Sequence, residues 1–258
     1  MTVLVRWALF VSVLATLLLV ACGGGSSSSN NLSSNSSSPS KAQGVYSGTT
    51  SSAATFETII LPNDKFYALY GSTSGNVFVV NGMLTGQGQS NNGSYTASIT
   101  DFYYAGSTYA GTVSATYVPG TSVQGTISEP GIPAVSFSGN AIPASQFNYN
   151  AAASVSTISG TWTGMLLDGS TASISINSNG SFSGTDSACT FSGTITPDSS
   201  GKNFFNVSLT FGSSPCSLPN QSLSGAGVTY LLSDGVTHQL VAAVFSGSTY
   251  GTVFIANR

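Results

Sequence analysis

An all-β fold is predicted for this chain, as two small antiparallel β-barrel or β-sandwich domains after a signal peptide and a disordered tether. Three observations carry the prediction. Short runs of β-branched and aromatic residues recur along the chain, broken every few positions by Gly, Asn, Asp or Pro. Beyond the apolar N-terminal stretch, no window holds a sustained 3.6-residue apolar period, so amphipathic helices are not expected. Charged residues make up 5% of the 258 positions, against about 25% in a typical globular protein. Ser, Thr, Asn and Gly take their place, as on the wet faces of exported β-sheets.

The N-terminus carries one cation, Arg6, followed by an apolar run from Trp7 to Val20. A membrane span needs about 20 apolar residues, so residues 1–21 read as a signal peptide. The run ends in Leu19-Val20-Ala21-Cys22. These residues resemble the bacterial lipobox, with a Leu three positions before the cleavage point, a small residue next to it and an invariant Cys after it. The resemblance implies cleavage before Cys22, two acyl chains of the palmitate class on its sulfur and a third on the new amino terminus. At about 0.8 kcal/mol per buried methylene, three chains hold a protein to a membrane. Gly23 follows the Cys where Asp is the usual inner-membrane retention signal. The resemblance therefore implies the outer membrane, on its periplasmic or its cell-surface face. Residues 22–43 are the lipidated Cys and a Gly/Ser/Asn tether, with too little apolar surface to offset the entropy of ordering.

The first β-domain is expected over 44–147. Ile59-Ile60-Leu61, Pro62-Asn63-Asp64 and Phe66 to Tyr70 read as strand, turn and strand. Val77 to Val80 is a further β-run, and Asn92-Gly93 supplies the positive-φ pair of a tight hairpin before alternating Tyr95, Ala97 and Ile99. Thr112 to Tyr117, Val123 to Ile127 and Val135 to Phe137 complete the half. Residues 140–158 have no strand pattern and mark a boundary.

The second β-domain, 148–258, opens as the first does. Gly44-Val45-Tyr46-Ser47-Gly48 is matched by Gly160-Thr161-Trp162-Thr163-Gly164. Asn92-Gly93-Ser94-Tyr95 echoes in Asn179-Gly180-Ser181-Phe182, and Gly106-Ser107-Thr108-Tyr109 in Gly247-Ser248-Thr249-Tyr250, at unequal separations. Two related domains follow, with one closed barrel of both halves as the alternative. Strands are expected over 172–176, 191–195, 204–211, 228–232, 239–245 and 252–256. Phe205, Val207, Leu209 and Phe211 alternate as a strand with one wet face. Glycine-rich stretches at 82–88 and 225–227 suggest bends at barrel corners.

The two Gly-x-aromatic openers, with Thr100-Asp101-Phe102, resemble the lipocalin patterns of a Gly-x-Trp start and a later Thr-Asp-Tyr. The family's closing Arg finds no counterpart, and the chain has two openers instead of one. The whole layout is similar to uncharacterised β-rich outer-membrane lipoproteins of proteobacteria, a resemblance that implies an architecture and no activity.

Past the signal peptide, Lys41, Lys65, Lys202 and Arg258 face eight acids. Without a basic cluster, nucleic acid is excluded as a partner. With Cys22 spent on lipid, Cys189 and Cys216 are left in an oxidising compartment and are expected to form a disulfide. His238 has Asp234 four residues upstream, but no serine-nucleophile signature accompanies them and Asp234-Gly235 is hairpin chemistry. Asp64, Asp168, Asp198 and Asp234 all stand in turn contexts, an explanation that Glu57, Asp101 and Glu129 do not share. Nothing calls for a metal or cofactor.

The aromatics are the stronger candidates. Tyr67 and Tyr70 lie on one strand and Tyr103 and Tyr104 on another, and exposed rings among Asn and Ser would stack a glycan or meet a protein ligand. The sequence thus points to a lipid-anchored, non-catalytic binding or surface-interaction module. A structural envelope lipoprotein without a ligand is the alternative, and a hydrolase the third.

Overall fold

Short β-runs joined by tight turns pair with their sequence neighbours, and the outcome here is a meander closed twice. The structure, a computed structural model, describes residues 40–74, 77–103, 106–187 and 189–258. The lipobox with Cys22, the tether to residue 39 and Tyr104 lie outside the described residues. The first eight strands are β1 (Gly44–Thr50), β2 (Thr55–Ile60), β3 (Lys65–Ser74), β4 (Val77–Asn91), β5 (Ser94–Tyr103), β6 (Thr108–Val118), β7 (Ser122–Ser128) and β8 (Val135–Ala141). The second eight are β9 (Gly160–Leu166), β10 (Thr171–Ile176), β11 (Ser181–Asp186), β12 (Cys189–Pro197), β13 (Phe205–Phe211), β14 (Ser222–Leu231), β15 (His238–Ser246) and β16 (Tyr250–Asn257). Each strand pairs antiparallel with the next, and β1–β8 and β9–β16 contacts close two separate barrels. The fold is therefore all-β in two barrels, and the single barrel of both halves is set aside.

Turn chemistry places the hairpins. Asn92 and Gly93 adopt φ of 47° and 86° between β4 and β5, the left-handed pair that a two-residue hairpin demands. The Asn179-Gly180 echo joins the second and third strands of its barrel, not the fourth and fifth. Both Asn-Gly turns nevertheless fall at the same end of their barrels, and both Gly-Ser-Thr-Tyr segments lie toward the other end. The echoes share turn chemistry without sharing position.

That first end is closed in each barrel by the Gly-x-aromatic opener. The Tyr46 hydroxyl donates to the Ala42 carbonyl at 2.9 Å, and Trp162 Nε1 donates to the Ile158 carbonyl at 2.7 Å. All four residues are buried. Ser40–Gln43 cross the closed end of the first barrel. Tyr117 donates to the Ser40 carbonyl at 2.7 Å, and Lys41 pairs with Asp64 at 3.2 Å. In the second barrel a 3-10 turn, Val155–Thr157, precedes the opener. The Arg258 guanidinium lies 4.1 Å from the Trp162 ring centroid and donates to the Ser159 and Thr157 carbonyls. It follows β16 with no local motif to announce it, and only barrel closure brings it to Trp162.

Side chains alternate between barrel interior and exterior, as the period of two requires. Val113, Ala115 and Tyr117 of β6 are buried while Thr112, Ser114 and Thr116 are exposed. Such a polar outer face lacks the apolar band of a bilayer-spanning barrel. Elsewhere the outer faces meet each other. Val45, Ile59, Tyr67, Leu69, Met83 and Phe102 of the first barrel share one core with Val228, Tyr230, Val241, Phe245, Val253 and Ile255 of the second. The boundary segment is fastened to both barrels. Ile142 N–H donates to the Val45 carbonyl, Leu231 N–H to Gln146 and Asn203 N–H to Tyr149.

Backbone approach at the corners requires glycine where the sequence places it. A Cβ on Gly225 would lie 1.9 Å from the Ala243 carbonyl oxygen of the neighbouring strand. Cys189 and Cys216 form the expected disulfide, with an S–S distance of 2.07 Å, tying the β13–β14 connection to the start of β12. Every strand, both barrel closures and the disulfide fall within the compact unit Ser38–Arg258, so this unit carries all the cores it needs to fold alone.

Candidate functional site

The interior of the first barrel is not filled. Tyr46, Tyr95 and Tyr117 pack its closed end, and above them a cavity of about 370 Å³ runs to the opposite end. Its walls are mostly hydrocarbon, with Ile60, Phe66, Leu84, Ala115 and Val123 among them. Deep polar groups are already bonded. Tyr95 donates to the Asp64 carbonyl at 2.7 Å, and Thr58 Oγ1 to the Tyr67 carbonyl at 3.0 Å. The β1–β2, β5–β6 and β7–β8 connections frame the mouth, where Tyr103 (38% exposed), Tyr109 (44%) and Ile132 (46%) meet solvent.

One polar cluster interrupts the apolar wall. Tyr70, from β3, donates its hydroxyl to Asp101 of β5 at 2.9 Å from each carboxyl oxygen. Glu129, just beyond β7, stands close enough to Asp101 for each carboxyl to shift the other's titration. Tyr70 and Asp101 point inward because they share the strand parity of Phe66 and Ala68, and of Ala97 and Ile99. Burial pushes the Asp101 carboxyl up to about 7, with Glu129 adding to the rise and the Tyr70 hydrogen bond opposing it. Burial likewise raises Glu129, and burial with the Asp101 charge raises Tyr70. Two carboxyls with perturbed titration in a cleft mark a site where charge is managed.

The second barrel also holds a cavity, about 470 Å³, lined by Ile174, Phe182, Val207 and Leu209. Leu218 of the disulfide loop, Tyr250, and Ser107 and Thr108 of the first barrel's β5–β6 hairpin border it. Two acids line it as well, Asp168 and Asp186, both within hydrogen-bond distance of the Ser170 hydroxyl.

The predicted aromatics separate. Tyr70 lies inside the cavity and Tyr103 at its rim. Tyr67, expected to be available to a ligand, is buried between the barrels and stacks on Phe245 with ring centroids 5.6 Å apart. It is on the outer face of β3, which the second barrel covers. His238 is exposed at the head of β15. Its upstream Asp234 accepts from the Val236 and Thr237 N–H groups and from the Thr237 hydroxyl, so the acid ties a turn. Asp168 and Asp198 do the same for Ser170 and Ser200. Asp101 and Glu129, two of the acids that turn chemistry does not explain, are brought to one site. Among the described residues, no group of three or more His, Cys, Asp and Glu side chains is placed to hold a metal ion.

No protein-family model matches the sequence, and no curated protein or solved structure matches the chain.

Proposed function

We propose that this protein is a lipid-anchored outer-membrane binding protein that holds a small apolar or amphipathic molecule inside its first barrel, without catalysis. The observation that carries the reading is the cavity of about 370 Å³, apolar along its length and polar at one cluster near its mouth. Pockets that bind small molecules run from about 300 to 1,000 Å³, mostly apolar with a few placed polar groups. The lipobox residues support the anchor. A glycan or protein ligand on exposed tyrosines has less support, because Tyr67 is covered and Tyr70 is inside.

The test uses N-phenyl-1-naphthylamine, whose fluorescence rises in apolar surroundings, with the folded unit Ser38–Arg258. Binding is expected to saturate at one site in the wild type and to be lost in Ala115→Trp. Ala115 is on the inner wall of β6, so a Trp there fills the cavity without reaching the barrel's outer face. Absent binding, or binding that survives Ala115→Trp in a folded protein, overturns the reading.

A further inference from the structure

The cavity's head-group chemistry is one-sided. Among the described residues, the ionisable groups lining it are Asp101 and Glu129 with Tyr70, Tyr95, Tyr103 and Tyr109. The Tyr95 proton is committed to a backbone carbonyl, and the Tyr70 proton to Asp101. The two carboxyls offer acceptor lone pairs and at most the proton between them.

Among the described residues, no cation answers them. The four cations of the described residues are all placed elsewhere. Lys41 pairs with Asp64 at the closed end, and Lys65 lies over the Tyr67 ring on the barrel exterior. Lys202 lies over Tyr149, and Arg258 over Trp162. Two acids in a mostly hydrocarbon wall, without a basic partner, are an arrangement that folding alone does not favour. A bound molecule that brings the missing positive charge relieves it.

Resting on the binding function proposed above, we infer that the first barrel selects amphiphiles whose head is a protonated amine, seated on Asp101 and Glu129 with its hydrocarbon in the barrel. An ammonium carries donors only, which match the acceptors here. Charge-assisted bonds of this kind are roughly twice as strong as neutral ones. A carboxylate or phosphate head would meet two acids and be repelled. A hydroxyl head gains a neutral hydrogen bond and no ion pairing. The Tyr103 and Tyr109 rings at the rim present π-faces that tolerate a cation and disfavour an anion. In the unliganded barrel a proton takes the place of the ammonium, since burial holds Asp101 up at about 7. Binding of the amine expels that proton, so affinity rises as pH rises through neutrality, up to the point where the amine itself deprotonates.

The experiment displaces N-phenyl-1-naphthylamine from the unit Ser38–Arg258 with three probes of equal chain length, n-decylamine, n-decanol and decanoate. At pH 8 decylamine is expected to displace the fluorophore at least about tenfold more tightly than decanol, with decanoate weakest. The decylamine-to-decanol ratio should shrink at pH 5.5. It should fall toward one in Asp101→Asn/Glu129→Gln, which keeps the side-chain shapes. Should that variant fail to fold, calorimetry on the wild type decides, because decylamine binding at pH 7 must release protons into the buffer. Equal affinities, a preference for decanoate or no proton release, with the fluorophore still held, overturn the amine specificity and leave a binding barrel. A fluorophore that never binds overturns both readings.

Discussion

Tyr70 reaches Asp101 because position 82 has no side chain. A Cβ on Gly82 would lie 2.2 Å from the Tyr70 hydroxyl oxygen, so Gly82→Ala must move the ring and break its two bonds to the carboxyl. Those bonds favour the ionised acid, and their loss lifts Asp101 further above about 7. The sign for stability follows. Asp101 titrates higher folded than unfolded, so its contribution is complete below about pH 4 and is lost as pH rises through 7. The wild-type urea midpoint is expected to decline from pH 4 to 8.5. The decline should be shallower in Asp101→Asn and should extend to higher pH in Gly82→Ala. An unchanged slope in Asp101→Asn would reject Asp101 as its source. Part of this residue's role was legible, because Asp101, like Glu57 and Glu129, is among the acids that turn contexts leave unexplained. Their pairing was not, since 28 positions separate Asp101 from Glu129 and only the stagger across β5, β6 and β7 brings the two together.

Strands record at the level of whole elements which of their faces are wet. β6 and β13 alternate strictly and keep one face in water. β15 runs Leu240-Val241-Ala242-Ala243-Val244-Phe245 without a polar position, and β16 runs Val253-Phe254-Ile255-Ala256. One face of each fills the second barrel, and the other packs on the first. Such runs are recognisable as strands from residue type, but a run covered on both sides does not say what covers it. Glu57 stands in that covered zone on the outer face of β2, among Val45, Ile59, Tyr67, Val228 and Val241, with Tyr67 and Tyr230 as the titratable neighbours lining the same small void. The Tyr230 hydroxyl faces both Glu57 Oε2 and Gln239 Oε1, and Gln239 Nε2 donates to Asn257 at 2.9 Å. One hydroxyl proton cannot serve two acceptors, so a proton on Glu57 completes the chain, and burial raises its pKa in that direction. Stability is therefore lost as pH rises through the folded value. Glu57→Gln, which donates from nitrogen at every pH, should raise the denaturation midpoint at pH 8 and change little at pH 4. Glu57→Ala should cost about 1–3 kcal/mol at both, by leaving the buried Tyr230 hydroxyl oxygen without its donor. Equal midpoints for Glu57→Gln and wild type at pH 8 would show that the carboxyl is ionised and satisfied at the interface.

For the molecule as a whole, the two closed ends repeat one device, an aromatic that donates to a carbonyl four residues upstream, Tyr46 to Ala42 and Trp162 to Ile158. The paired openers made that repetition visible in the sequence, while the empty interior of the first barrel was invisible, because the same alternating pattern describes a filled barrel and a hollow one. The closed end of the first barrel is also where the upstream chain arrives. Ser40 accepts from Tyr117, Lys41 donates to the Pro62 carbonyl at 2.7 Å, and the Ala42 N–H donates to Ser90 at 3.0 Å. The lipid anchor on Cys22 is a proposal that can be tested apart from the cavity. Cys22→Ser removes the acceptor sulfur, and three acyl chains are worth far more than any surface contact in keeping the protein on the membrane. The substituted chain is expected to take up no palmitate and to migrate as the unprocessed precursor. Its first barrel should still bind N-phenyl-1-naphthylamine once purified, since residues 40–43 and the cavity wall are unchanged. Normal palmitate labelling of Cys22→Ser, with the protein still fractionating with the outer membrane, would remove the lipid anchor from this account and leave the cavity to be explained without it.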